Sequence, residues 1–315
     1  MGRIIITAGI LAAAMGFSLT RPPEVSGLQA RPIKLGTYTE PREHGVRDLF
    51  IHSPWDPERY AALSFPEHCW GNDLPNTSHD NAEPMNSLWR IGPDSSEAAY
   101  EYAPRPGVLF RARARSDSLA VRLEVEIVNH TAEPIKDIRS LICLKPDQSQ
   151  ALPRRPTALA EFRDTSFSDT WIAVDGKPVQ LGVGTHYTGD LPDRGWKDLR
   201  TNINWGVNVK GGRDNRTIED INWFRGNSPG RIVEEAADPP LIAIRSSRDE
   251  NRWLATIWYP ARVLFCNPRN PCFHSDPEIP DCPAGDSVNV KGIIFFHEGS
   301  FESLLERTRA WIKAQ

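Results

Sequence analysis

The chain has 315 residues, 39% of them hydrophobic, and a formal net charge of −4. That is enough apolar content to close a core and too little charge excess for a disordered chain. Both signs are mixed along the sequence, so no basic face is offered to a nucleic acid.

The first thirty residues have the order of a secretory signal. Arg3 is followed by the apolar run Ile4 to Leu19, which carries small residues and stops at Arg21-Pro22-Pro23. The run is long enough for a signal h-region and short for a membrane span. Cleavage fits after Gly16 or after Ala30, and an uncleaved N-terminal anchor is the alternative. The expected organisation is a signal peptide over 1–30 and a single β-sandwich domain over 31–315. The expected location is secreted or periplasmic, with no transmembrane span once the signal is removed.

Asp56 followed by Pro57 predicts a short helix over Pro57 to Leu63, with Asp56 as its cap. Next comes a dense polar cluster, Glu67-His68-Cys69-Trp70-Gly71-Asn72-Asp73. Indole stacks on a pyranose ring, and Asn, Asp and His supply paired donors and acceptors for its hydroxyls. A surface loop anchored by its Trp has the same composition. Short β-rich runs then follow, bounded by turn residues: Val108–Arg115, Leu119–Val128, Ile138–Leu144, Thr170–Val174, Ile203–Val209, Leu241–Ser246, Trp253–Tyr259 and Val288–Phe296. In Phe110-Arg-Ala-Arg-Ala-Arg115 the alternation reads as the wet face of a strand. Leu119, Val121, Leu123, Val125 and Ile127 define the buried face of another. Cys143, inside Ser140-Leu-Ile-Cys-Leu144, reads as a buried small hydrophobe. Residues 210–240 form a long irregular stretch. Ser300 caps a final helix whose apolar stripe is Phe301, Leu304, Leu305, Thr308, Trp311 and Ile312.

Consecutive strands without a βα rhythm predict an all-β fold, a large antiparallel sandwich with a short N-terminal helix and a C-terminal one. The segment Leu123-Glu-Val-Glu-Ile-Val-Asn129-His-Thr-Ala-Glu-Pro134, with the strand after it, resembles the long hairpin of galactose-mutarotase-like β-supersandwiches. The run Pro283 to Phe296 resembles their closing strand, preceded as in that superfamily by a loop that holds a His. The resemblance implies a supersandwich with a sugar-handling site on a large curved sheet.

Cys266, Cys272 and Cys282 crowd into one proline-rich loop, expected to be stiff, with His274, Asp276, Glu278 and Asp281. In an exported protein this predicts a disulfide among the three, with Cys272–Cys282 preferred and Cys143 free. Metal binding is the rival, but C-x5-C and C-x9-C differ from the usual zinc knuckles, so no metal or cofactor is expected. If the segment is extended, His274 and Asp276 share a face and can act as acid–base residue and orienting carboxylate. The expected catalytic set is His68, His186, His274 and Asp276, with Trp70, Asn72 and Asp73 binding substrate. No G-x-S-x-G, H-E-x-x-H, P-loop or G-x-G-x-x-G occurs. The function expected is a secreted carbohydrate-active protein, of epimerase or lyase type, acting on a sugar or polysaccharide by His and carboxylate chemistry. The alternatives are a non-catalytic carbohydrate-binding or cell-surface sandwich and a structural exported protein. An enzyme gathers a His and a carboxylate in one place, whereas a binding module shows exposed Trp residues without that pair.

Overall fold

Alternation of apolar and polar residues builds nearly every element of this chain. A computed structural model describes residues 32–37, 48–78, 89–146, 158–164, 167–181, 187–188, 204–212, 230–267 and 272–315. The signal-like segment and His186 lie outside them. The strands are β1 (Leu35–Gly36), β2 (Asp48–His52), β3 (Tyr60–Gly71), β4 (Leu74–Ser78), β5 (Arg90–Ile91), β6 (Glu97–Arg105), β7 (Val108–Ser116), β8 (Ala120–Asn129) and β9 (Arg139–Lys145). They continue as β10 (Thr170–Val174), β11 (Lys177–Gln180), β12 (Tyr187–Thr188), β13 (Asn204–Val209), β14 (Gly230–Arg245), β15 (Arg252–Tyr259), β16 (Ala261–Asn267), β17 (Cys272–Pro277) and β18 (Ser287–Glu298). One α-helix, α1 (Phe301–Lys313), closes the described chain.

Hydrogen bonding runs β1–β2–β3–β9–β17–β16–β13 through one sheet. It runs β5–β6–β7–β8–β18–β15 through a second. The long β14 joins them: its first part pairs in parallel with β13 and its last part antiparallel with β15. Between the sheets lies one core. Val121, Leu123, Val125 and Ile127 of β8, Phe110 of β7, Leu254 and Trp258 of β15 and Ile294 of β18 meet Leu63, Ile142, Leu144, Leu264 and Phe273 of the first sheet. Burying each such side chain contributes about 1.5–3 kcal/mol. Gly292 is required here by close approach, because a Cβ at this position would stand 2.5 Å from the Trp258 ring.

The arginine run behaves as its alternation predicts. Ala112 and Ala114 are buried, while Arg113 and Arg115 point to solvent and pair across strands with Glu124 and Glu97 at 3.7 and 3.1 Å. Helix α1 docks by the expected stripe. Ser300 accepts the Ser303 N–H at 3.3 Å. Phe301, Leu304 and Leu305 cover Trp253, Ala255, Ile293 and Phe295 on the face of the second sheet turned from the core. No helix among the described residues is long and apolar enough to cross a membrane.

Four expectations are corrected. Pro57–Leu63 is a turn and the start of β3, not a helix. Ser53 Oγ accepts the Trp55 and Asp56 N–H groups, and from Ala61 the alternation with Leu63 and Phe65 feeds the core. The segment after Asn129 does not form a hairpin with the next strand, because β8 pairs with β7 and β18 while β9 pairs with β3 and β17. Within the Cys266–Cys282 stretch, the end of β16 and the whole of β17 pair antiparallel rather than forming a stiff loop. All five cysteines are free. Cys266 faces the core, its strand neighbour Cys272 faces the other way, and Cys282 turns its sulfur to the Ile127 carbonyl at 3.6 Å.

Asn129-His130-Thr131 has the form of a glycosylation sequon, and packing explains its Asn. Its side chain is fully buried, donates to the carbonyls of Glu133 and Pro283, and accepts from Thr131. It locks the crossing between sheets and is closed to glycosylation.

His297, at the end of β18, yields a pH prediction. Burial first, and then the charge of Arg307, hold its pKa below the usual imidazole range, while its Nε2 bonds Ser303 Oγ at 2.7 Å. The folded chain therefore prefers neutral His297, and the unfolded chain takes up a proton near pH 6.5. Stability is full above that pH and declines as pH falls through it toward the lower folded pKa. His297→Gln should flatten this decline in urea melts between about pH 7 and pH 5. Parallel losses in both proteins would assign the decline to another group.

Candidate functional site

The site is set by strand parity in the first sheet. Ile142 and Leu144 enter the core, so Leu141, Cys143 and Lys145 project from the opposite face. Phe273 enters the core, so Cys272, His274 and Asp276 project with them. On β3, Leu63 is inward and Ser64 outward. A register shift against β9 then leaves Phe65, Pro66 and Glu67 opposite Ile142. Such a bulge re-aims a side chain: Cys69 goes to the core, and Glu67, His68 and Trp70 are left with the outward set.

At the centre is His274, 1% exposed. Its Nδ1 lies 3.4 Å from Asp276 Oδ1, and that oxygen accepts the Ile142 N–H at 2.8 Å. Its Nε2 lies 3.6 Å from Cys272 Sγ and 3.9 Å from Glu67 Oε2. The Phe265 ring stands edge-on to the imidazole at 5.0 Å. The antiparallel pairing at Phe273 and Leu144 sets His274 abreast of Cys143. Donor atoms of Cys143, Cys272 and His274 all lie within 4.8 Å of one another. Alongside, Lys145 Nζ reaches Ser64 Oγ at 2.6 Å and Asp48 Oδ1 at 3.2 Å, and Ser64 Oγ donates to Asp48 at 2.7 Å.

These groups shift one another. Burial opposes charge on His274, but the carboxylate of Asp276 outweighs it and holds the imidazole well above its usual range. Burial pushes the Cys143 thiol well up. A thiol supplies no anion, so Asp276 is the group that supports an imidazolium here. Burial also raises Asp276, against the pull of His274 and the Ile142 amide. A histidine and a carboxylate held this way, with a second carboxylate on the far nitrogen, form a cluster of catalytic type.

The residues expected from sequence are distributed as follows. His274 and Asp276 meet directly. His68 lies on the same face of the adjoining strand β3, paired with Leu141, and is 9% exposed. Trp70 follows it, paired with Arg139. Asn72 and Asp73 sit in the exposed turn between β3 and β4, and Asp73 has a positive φ of 62°. Cys143, Glu67, Lys145 and Asp48 join the cluster without having been assigned to it. The signal for Cys143 was parity: with Ile142 and Leu144 inward, it had to face away from the core. Its Cys272 neighbour comes from the other strand and is invisible locally.

No family model matches the chain. An alignment 157 positions long shows 29% identity to integrin alpha-PS5 of Drosophila melanogaster; it covers 47% of this chain and 15% of that protein. Among solved structures, the galactose mutarotase related enzyme of Lactobacillus acidophilus shares 8% identity at a TM-score of 0.39, covering 84% of this chain and 98% of that one. A candidate aldose 1-epimerase of Escherichia coli K12 shares 9% at 0.39, over 84% and 99%. A polysaccharide lyase shares 10% at 0.34, over 88% of this chain and 35% of that one. These likenesses are distant, at 8–10% identity and TM-scores of 0.34–0.39.

Proposed function

We propose that the protein is an exported carbohydrate-active enzyme that transfers a proton on a sugar or glycan, in an epimerase- or lyase-type reaction. The observation that supports this is the line Asp276–His274–Glu67 on the face of the first sheet turned from the core. Its inner members have side chains only 2% exposed, whereas that of Glu67 is 21% exposed. Glu67 is therefore the group that meets substrate, and His274 with Asp276 positions it. His68 supplies the opposing proton carrier, and Trp70 the stacking platform.

The test is incubation of the full chain with reducing sugars and uronate-bearing glycans in deuterated water. NMR would follow anomer exchange, deuterium incorporation at carbon and loss of linkages. Turnover is expected for at least one class, and Trp70→Ala should raise KM about 2- to 10-fold, in line with the loss of one aromatic contact, with little change in kcat. Binding without turnover across the set would reduce the protein to a carbohydrate-binding sandwich. Neither binding nor turnover would remove the sugar reading altogether.

A further inference from the structure

A proton-transfer line does not account for two cysteines gathered at the same imidazole. Cys143 comes from β9 and Cys272 from β17, both adjacent strands of one sheet, so their placement is rigid rather than a loop accident. Their sulfurs and a ring nitrogen of His274 lie within 4.8 Å of one another, all from buried residues. Cys272 Sγ and His274 Nε2 are 3.6 Å apart. A tetrahedral zinc, with Zn–S of about 2.3 Å and Zn–N of about 2.0–2.1 Å, separates a sulfur and a nitrogen ligand by about 3.6 Å. The spacing is that of two ligands on one ion.

The ring is oriented for the same role. Nδ1 faces Asp276 Oδ1 at 3.4 Å, and the Ile142 N–H fixes that oxygen at 2.8 Å. An imidazole whose Nδ1–H is directed at a carboxylate presents its Nε2 lone pair to a metal, and such carboxylate–histidine pairs are the usual support of metal ligands. Glu67 Oε2 lies 3.9 Å from the same Nε2.

We propose that Cys143, Cys272 and His274 form a zinc site whose fourth, exchangeable position faces Glu67. Two thiolates and an imidazole are a soft donor set that selects zinc over magnesium or calcium. Zinc would enter as the divalent ion while the two thiols and the Nε2 side of the His274 imidazolium release their protons to solvent, with no redox change. Three protein ligands and one open position are the arrangement of a catalytic rather than a closed structural zinc. A water in that position would be acidified, and Glu67 beside it would keep its part as proton acceptor. The inference needs only the three donors and does not rest on a sugar substrate.

The test reads the metal and no sugar, so its failure is separate from failure of the carbohydrate reading. The full chain is stripped with chelator, dialysed against zinc and analysed for metal; a second portion is loaded with cobalt. About one zinc per chain is expected, and the cobalt form should show thiolate charge-transfer absorption and the strong visible bands of a four-coordinate site. Cys143→Ser and Cys272→Ser should lose both signals, whereas Cys266→Ser, whose thiol faces the core, should keep them. Asp276→Asn should weaken zinc affinity about 10- to 100-fold with the cobalt spectrum retained. Because either cysteine variant could misfold, X-ray absorption at the zinc edge of the unaltered chain decides independently. Two sulfur ligands at about 2.3 Å support the site. No retained metal, a bound metal without sulfur ligands, or wild-type retention by both cysteine variants overturns it.

Discussion

Lys145→Met should destabilise the fold by about 3–5 kcal/mol, the range for removing one partner of a buried ion pair. Asp48 opens its strand with a side chain only 5% exposed, and Lys145 contacts both of its oxygens, at 3.2 and 3.3 Å. Ser64, which donates to the carboxylate and accepts from the ammonium, ties the two together. Burial acts against the charge on Lys145, yet the carboxylates of Asp48 and Glu67 outweigh it and hold the amine above its usual range. Removal of the ammonium leaves the Asp48 side chain desolvated, with the Ser64 hydroxyl beside it. The double variant Asp48→Asn with Lys145→Met should recover most of the loss, because no lone charge then remains buried. Urea denaturation of the wild type, both single variants and the double variant measures this. A loss below about 1 kcal/mol for Lys145→Met would put the pair in the class of exposed ion pairs and contradict its burial.

What the sequence revealed of this structure follows from how local each signal is. Val121, Leu123, Val125 and Ile127 announce β8, and Ser300 with Phe301, Leu304 and Leu305 announces α1, because the period of apolar residues is a property of each segment alone. Pro57 and the prolines after Cys266 misled the reading in the opposite direction. They look like a helix start and a stiff loop, but β3 begins three residues beyond Pro57, β16 runs up to Asn267, and β17 begins directly after Pro271. His274 and Asp276 were paired in advance because two residues apart on a strand is a local relation. The approach of Cys143 to Cys272, and of Glu67 to His274, depends on which strands become neighbours and on a bulge in β3. No segment encodes that by itself. The disulfide expectation failed for the same reason. Closeness in sequence placed Cys266 and Cys272 on neighbouring strands but on opposite faces of the sheet.

Glu67→Gln should lower kcat about 10²- to 10⁴-fold, the usual worth of a positioned proton-transfer group, while KM changes little. Gln keeps the length and shape of Glu and can still bond a hydroxyl, but it cannot accept a proton. An interaction needed only in the transition state then disappears while ground-state binding survives. The position of Glu67 supports this role. The register shift in β3 brings its carboxylate to within 3.9 Å of His274 Nε2, and its side chain is 21% exposed where that of His274 is 2%. Asp276→Asn should cost less, because Asp276 acts through the ring and does not meet substrate. Its effect should also alter the pH–rate profile, since it removes the anion that supports a charged His274. Steady-state kinetics across pH on the substrate identified by NMR would separate the two variants. Equal losses in Glu67→Gln and Asp276→Asn, with unchanged pH profiles, would mean that the cluster holds the sheet together and that the proton moves elsewhere.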